Sequence, residues 1–74
     1  MSRRPIRLLL VDDHASSREP LALLLDRQPD LDVVGQAGSL AEARQLLRSG
    51  VRADIALVDL DLGGGSGVEL IHDL

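Results

Sequence analysis

Two short apolar segments, each closed by an aspartate, decide the fold. The first reads Ile6-Arg7-Leu8-Leu9-Leu10-Val11-Asp12-Asp13, and the second reads Asp54-Ile55-Ala56-Leu57-Val58-Asp59. A nearly continuous apolar run of this length is typical of a strand that is covered on both faces in a parallel sheet. The two segments therefore predict a first strand over residues 6–11 and a third strand over residues 54–59, each ending at a carboxylate.

The residues between these strands predict two helices and one further strand. A capping box formed by Ser16 and Glu19 precedes leucines at helical spacing, which predicts a first helix running to about Arg27. The segment Leu31–Ala37 mixes β-branched and polar residues, as expected of a more peripheral second strand. A second capping box, at residues 39–42, and a glycine at position 50 predict the limits of a second helix.

A third helix is predicted at the end of the chain. It follows a glycine-rich segment at residues 63–67, which is interpreted as a flexible loop, and a capping box formed by Ser66 and Glu69. Alternating strands and helices imply an α/β fold with a parallel, flavodoxin-like sheet, and we expect the strand order 2-1-3 with the first two helices on opposite faces. Residues 1–74 then form one partial domain. Its third strand would have an open edge, which predicts a homodimer or strand exchange.

The composition excludes several classes of function. The chain has 74 residues, no cysteine, no aromatic residue and a formal net charge of −4. Without cysteine, disulfides and thiolate metal sites are excluded, and acidic residues spread along the chain argue against a nucleic-acid or anionic-membrane surface. No apolar run approaches the roughly 20 residues that span a bilayer, so we expect a soluble cytoplasmic protein. Every basic residue is an arginine, so these residues cannot supply a lysine.

The carboxylates that close the first and third strands are the candidate site. In the order 2-1-3 these strands are neighbours, and parallel sheets bind ligands outside the carboxyl ends of their strands, so Asp12 or Asp13 should meet Asp59 there. Carboxylates held together repel one another unless a divalent cation or a shared proton relieves the repulsion, and oxygen ligands favour Mg²⁺ or Mn²⁺. A carboxylate beside such an ion can attack phosphorus, which would produce an aspartyl phosphate.

The chain resembles the receiver domains of response regulators in two-component systems. The resemblance lies in Leu8-Leu9-Leu10-Val11-Asp12-Asp13-His14 and in Ala56-Leu57-Val58-Asp59-Leu60, which are similar to the two signature strands of that family. Val33-Val34-Gly35-Gln36-Ala37 is similar to the subgroup with LuxR-type helix-turn-helix outputs. The order and spacing of these segments extend the resemblance over nearly the whole chain.

The resemblance implies a function and a set of site residues. It implies that Asp59 accepts a phosphoryl group from a histidine kinase, and that the chain is a signalling domain and not an enzyme. The implied Mg²⁺ or Mn²⁺ ligands are Asp12, Asp13, Asp59 and the backbone carbonyl of Asp61. Transcription would be controlled through a DNA-binding domain outside these residues.

The chain also departs from the family pattern. Leu62 and Gly63 stand where Met-Pro is usual. The family's lysine and its switch Ser or Thr lie on later strands, which these residues do not include. We therefore expect a phosphorylation site without its complete relay.

Two other functions and a further ligand remain open. Asp59 and Asp61 are similar to the Asp-x-Asp motif of haloacid-dehalogenase-type phosphatases, although that family carries its motif on the first strand. A non-phosphorylated pseudo-receiver, in which the carboxylates are solvated strand ends, is the other alternative. His14 follows the acidic pair and could contact a metal, but a single histidine after a strand is more often a surface or packing residue.

Overall fold

A computed structural model of the chain describes residues 4–61 and 66–72. Along the chain the elements are β1 (Ile6–Asp12), α1 (Ala15–Asp26), β2 (Leu31–Ala37), α2 (Leu40–Arg48), β3 (Ile55–Asp61) and β4 (Ser66–His72). They form one sheet in the order β2-β1-β3-β4. Strand β1 is parallel to β2 and β3, whereas β4 is antiparallel to β3. The predicted parallel order 2-1-3 is confirmed.

Strand β1 lies at the centre of the core because its side chains are apolar on both faces. Leu9 and Val11 pack on one face with Ala43 of α2, in a cluster that also contains Ala56 and Val58 of β3. Leu10 is 0% exposed and lies on the other face, the face that α1 covers with its buried Ala22. The two helices therefore lie on opposite faces of the sheet, as predicted.

Helix α2 begins and ends as its sequence predicts. The Ser39 hydroxyl accepts a hydrogen bond from the Glu42 backbone N–H (3.1 Å), and the Glu42 carboxylate accepts one from the Gly38 N–H (2.6 Å). The first bond satisfies one of the backbone donors that a helix start leaves without partners, and the second holds the residue before the N-cap. Gly50 follows the last turn with φ +109°, a left-handed conformation that glycine adopts without a Cβ clash.

The predicted start of α1 is wrong. The helix begins at Ala15 with His14 as N-cap, so Ser16 lies inside the first turn and caps nothing. The preceding turn explains the earlier start, because the His14 N–H donates to the Asp12 carboxylate (2.9 Å) and the His14 carbonyl accepts from the Arg18 N–H (2.8 Å). The turn that follows the acidic strand end therefore sets the start of the helix, and no side chain caps it.

The predicted third helix is also wrong, because residues 66–72 form β4. Each residue of this segment is paired in register with β3, from Asp61 opposite Ser66 to Ile55 opposite His72. A helix in this segment would leave the backbone groups along that edge of β3 without a strand partner. Pairing instead satisfies backbone groups along the edge of β3. Residues 63–65 of the predicted glycine loop lie outside the described residues, and Gly67 belongs to β4.

The open edge predicted for β3 is absent, because β4 covers it. The sheet edges in the described part of the chain are β2 and β4. The argument for a homodimer through β3 is therefore wrong. Within the same residues, neither helix combines the length and apolar character needed to cross a bilayer.

Candidate functional site at the carboxyl ends of the parallel strands

Two aspartates meet where β1 and β3 end. Asp12 and Asp59 are register partners on these parallel strands, so their side chains leave the sheet side by side on the same face. Asp12 is 2% exposed, the most buried charged residue among those described, whereas Asp59 is half-buried. The structure thus brings together two of the residues predicted for the site.

The turn after β1 adds a second carboxylate and a histidine. His14 Nδ1 lies 2.9 Å from Asp13 Oδ1 and 3.8 Å from Asp12 Oδ1. The His14 side chain is 56% exposed, and its backbone N–H is bonded to the Asp12 carboxylate. His14 therefore closes the turn through both its side chain and its backbone.

These residues form a group with the chemistry of a metal site. One ligand atom each from Asp12, Asp13 and His14 lie within 4.8 Å of one another. Asp59 is outside this group and lies on the neighbouring strand. Asp61 is the last residue of β3, two positions beyond Asp59, and its backbone pairs with Ser66 of β4. The predicted ligand role of its backbone carbonyl stays a prediction.

Arg18 is a site residue that the sequence reasoning missed. From the start of α1 its Nη1 donates a hydrogen bond to the backbone carbonyl of Asp12 (2.9 Å). The guanidinium also lies against Gly38, the first residue after β2. A sequence signal existed, since a cation near a helix N-terminus is electrostatically unfavourable and calls for a local carboxylate or carbonyl partner.

An ion pair joins the starts of β1 and β3, at the edge of the sheet opposite to the acidic site. Arg7 Nη2 lies 3.1 Å from Asp54 Oδ1, and Arg7 Nε and backbone N–H both donate to Asp54 Oδ2 (3.3 and 2.9 Å). The Asp54 N–H in turn donates to the Arg7 carbonyl (2.8 Å). The side-chain hydrogen bonds from Arg7, with its backbone bond, hold the pKa of Asp54 below its ordinary value. The Asp54 carboxylate likewise raises the pKa of Arg7.

The sequence matches the family model for the response regulator receiver domain over residues 8–74. The chain belongs to this family. The matched segment of this receiver domain begins inside β1 and includes the acidic pair, the β1–α1 turn and Asp59. The family assignment argues against the phosphatase alternative, since β3 with Asp59 and Asp61 follows a complete βαβα unit that belongs to the same family match.

Three curated proteins illustrate the similarity. The receiver domain is 46% identical over 69 residues to the DNA-binding transcriptional activator DevR/DosR of Mycobacterium tuberculosis, covering 93% of this chain and 31% of that protein. It is 41% identical over 64 residues to the transcriptional regulatory protein LiaR of Bacillus subtilis, covering 86% and 30%. It is 33% identical over 69 residues to a protein-glutamate methylesterase/protein-glutamine glutaminase of Caulobacter vibrioides, covering 93% and 20%.

The receiver domain spans about a third or less of the length of these relatives. They include transcription regulators and an enzyme, so the similarity over this segment establishes a shared signalling domain and leaves the output undetermined. No solved structure matches the chain significantly.

Proposed function

We propose that Asp59 is the phosphoacceptor of a two-component response regulator. The observation that carries this proposal is the register of β1 and β3, which places Asp12 beside Asp59 at the edge where parallel sheets bind their ligands. Asp59 is half-buried, so the residue is partly exposed at this edge, as a phosphoacceptor must be. Asp12 is buried beside it on the neighbouring strand.

The donor set fits a magnesium or manganese ion. A carboxylate that is 2% exposed and lies beside a second carboxylate carries repulsion that a divalent cation relieves. Asp12, Asp13 and Asp59, with the backbone carbonyl of Asp61, would hold the ion through oxygen atoms alone, as Mg²⁺ and Mn²⁺ prefer. When bound, the ion would neutralise charge on the phosphoryl oxygens.

The transfer step is a nucleophilic displacement at phosphorus. An Asp59 carboxylate oxygen attacks the phosphorus of a phosphohistidine on a sensor histidine kinase, a P–O bond forms, and the P–N bond breaks. The electron pair of that bond stays on the imidazole, which takes up a proton from solvent. The hydrogen bond from the His14 N–H to Asp12 keeps that carboxylate in place while Asp59 reacts. The product is an aspartyl phosphate with added negative charge, which can reorder nearby loops.

The output proposed for the whole protein is control of transcription. Two of the relatives are a DNA-binding transcriptional activator and a transcriptional regulatory protein, which supports a DNA-binding domain of the LuxR-type subgroup beyond these residues. The receiver domain itself is then a cytoplasmic signalling module without enzymatic turnover. A homodimer remains part of the proposal, and light scattering before and after phosphorylation tests it.

Labelling with a small acyl phosphate tests the proposal. The protein that carries this domain is incubated with Mg²⁺ and the phosphodonor, and intact-mass measurement should show the addition of one phosphoryl group. Asp59→Asn should abolish the addition, whereas Asp30→Asn, which removes an exposed charge from a turn, should leave it unchanged.

Three other outcomes, the last of them with a further variant, would contradict the proposal. Labelling that persists in Asp59→Asn would place the acceptor elsewhere. No labelling of the native protein by either the small donor or a kinase would favour the pseudo-receiver. Loss of labelling in Asp61→Asn, with Asp59 intact, would indicate that the Asp61 side chain takes part in the chemistry.

A further inference from the structure

We propose that Arg18 is a positioning residue for the acidic pair, and that Gly38 is required to leave space for its guanidinium. The inference rests on the proposed function, because it concerns Asp12 and Asp13 as ligands of a divalent cation. It assigns a task to two residues that lie outside the carboxylate cluster itself. The two residues come from α1 and from the segment after β2, so the device joins three elements at one edge of the sheet.

Arg18 is bonded to the backbone of the acidic pair. Arg18 Nη1 donates to the Asp12 carbonyl at 2.9 Å, and that carbonyl shares a planar peptide unit with the N–H of Asp13. Fixing the carbonyl therefore fixes the plane from which Asp13 departs. The His14 N–H restrains the Asp12 carboxylate at 2.9 Å. One bond thus orients the main chain of the pair, and the other orients a side chain.

The Arg18 guanidinium occupies the space that a side chain at position 38 would need. A Cβ built on Gly38 would lie 2.9 Å from Arg18 Nη1 and 3.3 Å from Glu42 Oε2. The first distance is shorter than real Cβ contacts, so the guanidinium, which is the end of a flexible side chain, would move away at little cost, and its bond to the Asp12 carbonyl would be disturbed. Gly38 does not have a left-handed φ, and its backbone accommodates alanine without strain. A substitution at position 38 therefore acts mainly through the side chains that lie over it.

The position of Arg18 is energetically costly. Arg18 Nε is buried and has no hydrogen-bond partner within residues 4–61 and 66–72. A buried donor without a partner costs on the order of 1–3 kcal/mol, and a cation near a helix N-terminus is unfavourable as well. Stability alone therefore does not account for the placement of Arg18. A role in positioning the acidic pair, through the bond to the Asp12 carbonyl, does account for it.

Metal binding by matched variants tests the inference. Isothermal titration calorimetry with Mn²⁺ as the probe compares the native protein with Arg18→Ala, Gly38→Ala and the double variant. Residues that orient metal ligands typically contribute 10- to 100-fold to affinity, so each single substitution should weaken Mn²⁺ binding by about 10-fold. The double variant should bind no more weakly than Arg18→Ala, because the shortest contact of a Cβ at position 38 is with the Arg18 guanidinium.

Two control variants separate the effect of the Arg18 position on metal binding from the effect of losing a positive charge and from the effect of losing a helix cap. Arg27→Ala removes the same charge from an exposed position at the other end of α1, and Ser39→Ala removes the α2 cap without touching Arg18. Both should bind Mn²⁺ as the native protein does. Equal weakening in Arg27→Ala would indicate a general charge effect and would overturn the inference. Native Mn²⁺ affinity in Gly38→Ala, with weaker binding only in Arg18→Ala, would also overturn the inference, because it would show that the position of the Arg18 guanidinium over Gly38 does not affect metal binding.

Hydrogen exchange of the His14 amide keeps the inference separate from the proposed function. Exchange measured by NMR in chelator should be faster in both Arg18→Ala and Gly38→Ala than in the native protein, since the β1–α1 turn loses its restraint. If the native protein binds no Mn²⁺, the proposed metal site fails. The positioning role then stands or falls on this exchange measurement, and unchanged exchange in both variants refutes it.

Discussion

Replacing Asp59 by asparagine should stabilise the domain in the absence of divalent cations. Asp12 and Asp59 are register partners on neighbouring strands, and such strands lie about 4.8 Å apart. With this strand spacing taken as the separation of the two charges, they would repel by about 1 kcal/mol in water and by about 3 kcal/mol at an effective dielectric constant near 20. Asp12 is 2% exposed and Asp59 is half-buried, so the environment lies between these limits. Asparagine keeps the shape of the side chain and removes the charge.

The expected gain in the free energy of unfolding is therefore about 1–3 kcal/mol in chelator. For a domain of this size, 1 kcal/mol shifts Tm by about 4–8 °C, which a thermal scan resolves easily. Far-UV circular dichroism is the suitable probe, because the chain has no aromatic residue for fluorescence. Addition of Mg²⁺ should raise the Tm of the native protein more than that of the variant, and so reduce the difference in Tm between the two proteins.

The control for this experiment is Asp30→Asn, which removes one negative charge from the exposed turn before β2. It should change Tm by much less than Asp59→Asn does. A Tm of Asp59→Asn equal to or below that of the native protein in chelator would show that the two carboxylates do not repel each other in the folded state. The electrostatic argument for a cation at this edge would then lose its basis.

Three further predictions follow from packing, capping and the ion pair. Leu10→Ala should lower the free energy of unfolding by about 2–5 kcal/mol in urea titrations, because Leu10 is 0% exposed. Ser39→Ala should cost about 1 kcal/mol by the same measurement, because the Glu42 N–H loses its cap. Asp54, whose pKa is lowered in the folded state by hydrogen bonds from Arg7, contributes stability above its unfolded pKa, which is lost as the pH falls through the lower folded value. Asp54→Asn should therefore flatten the dependence of unfolding free energy on pH below about pH 5, and an unchanged slope would contradict the assignment.

Much of the fold could be predicted from patterns that depend on local chemistry. The limits of β2 and α2 follow from turn residues, a capping box and glycine, which act within a few positions of the chain. The convergence of Asp12 and Asp59 also followed, because strand order alone brings the ends of β1 and β3 together. These features required no knowledge of contacts between distant side chains.

The features that were missed depend on the tertiary structure. Val68, Leu70 and Ile71 suit a short helix and a strand equally well, and only the free edge of β3 decides in favour of β4. The start of α1 at Ala15 follows the turn in which the Asp12 carboxylate accepts the His14 N–H, and the predicted Ser16 cap does not form. Arg18 could not be placed because its partners, the Asp12 carbonyl and Gly38, come together only in the folded sheet.

The ion pair at the opposite edge of the sheet has a consequence for the acidic site. Because β1 and β3 are apolar on both faces, a one-residue slip between them would preserve most apolar contacts but would move the two aspartates to opposite faces. Arg7 and Asp54 have the same sequence separation as Asp12 and Asp59, and their backbone and side-chain bonds tie the starts of the two strands together. These bonds fix the register of β1 against β3, and so keep Asp12 beside Asp59, from the ends of the strands that lie far from the acidic site.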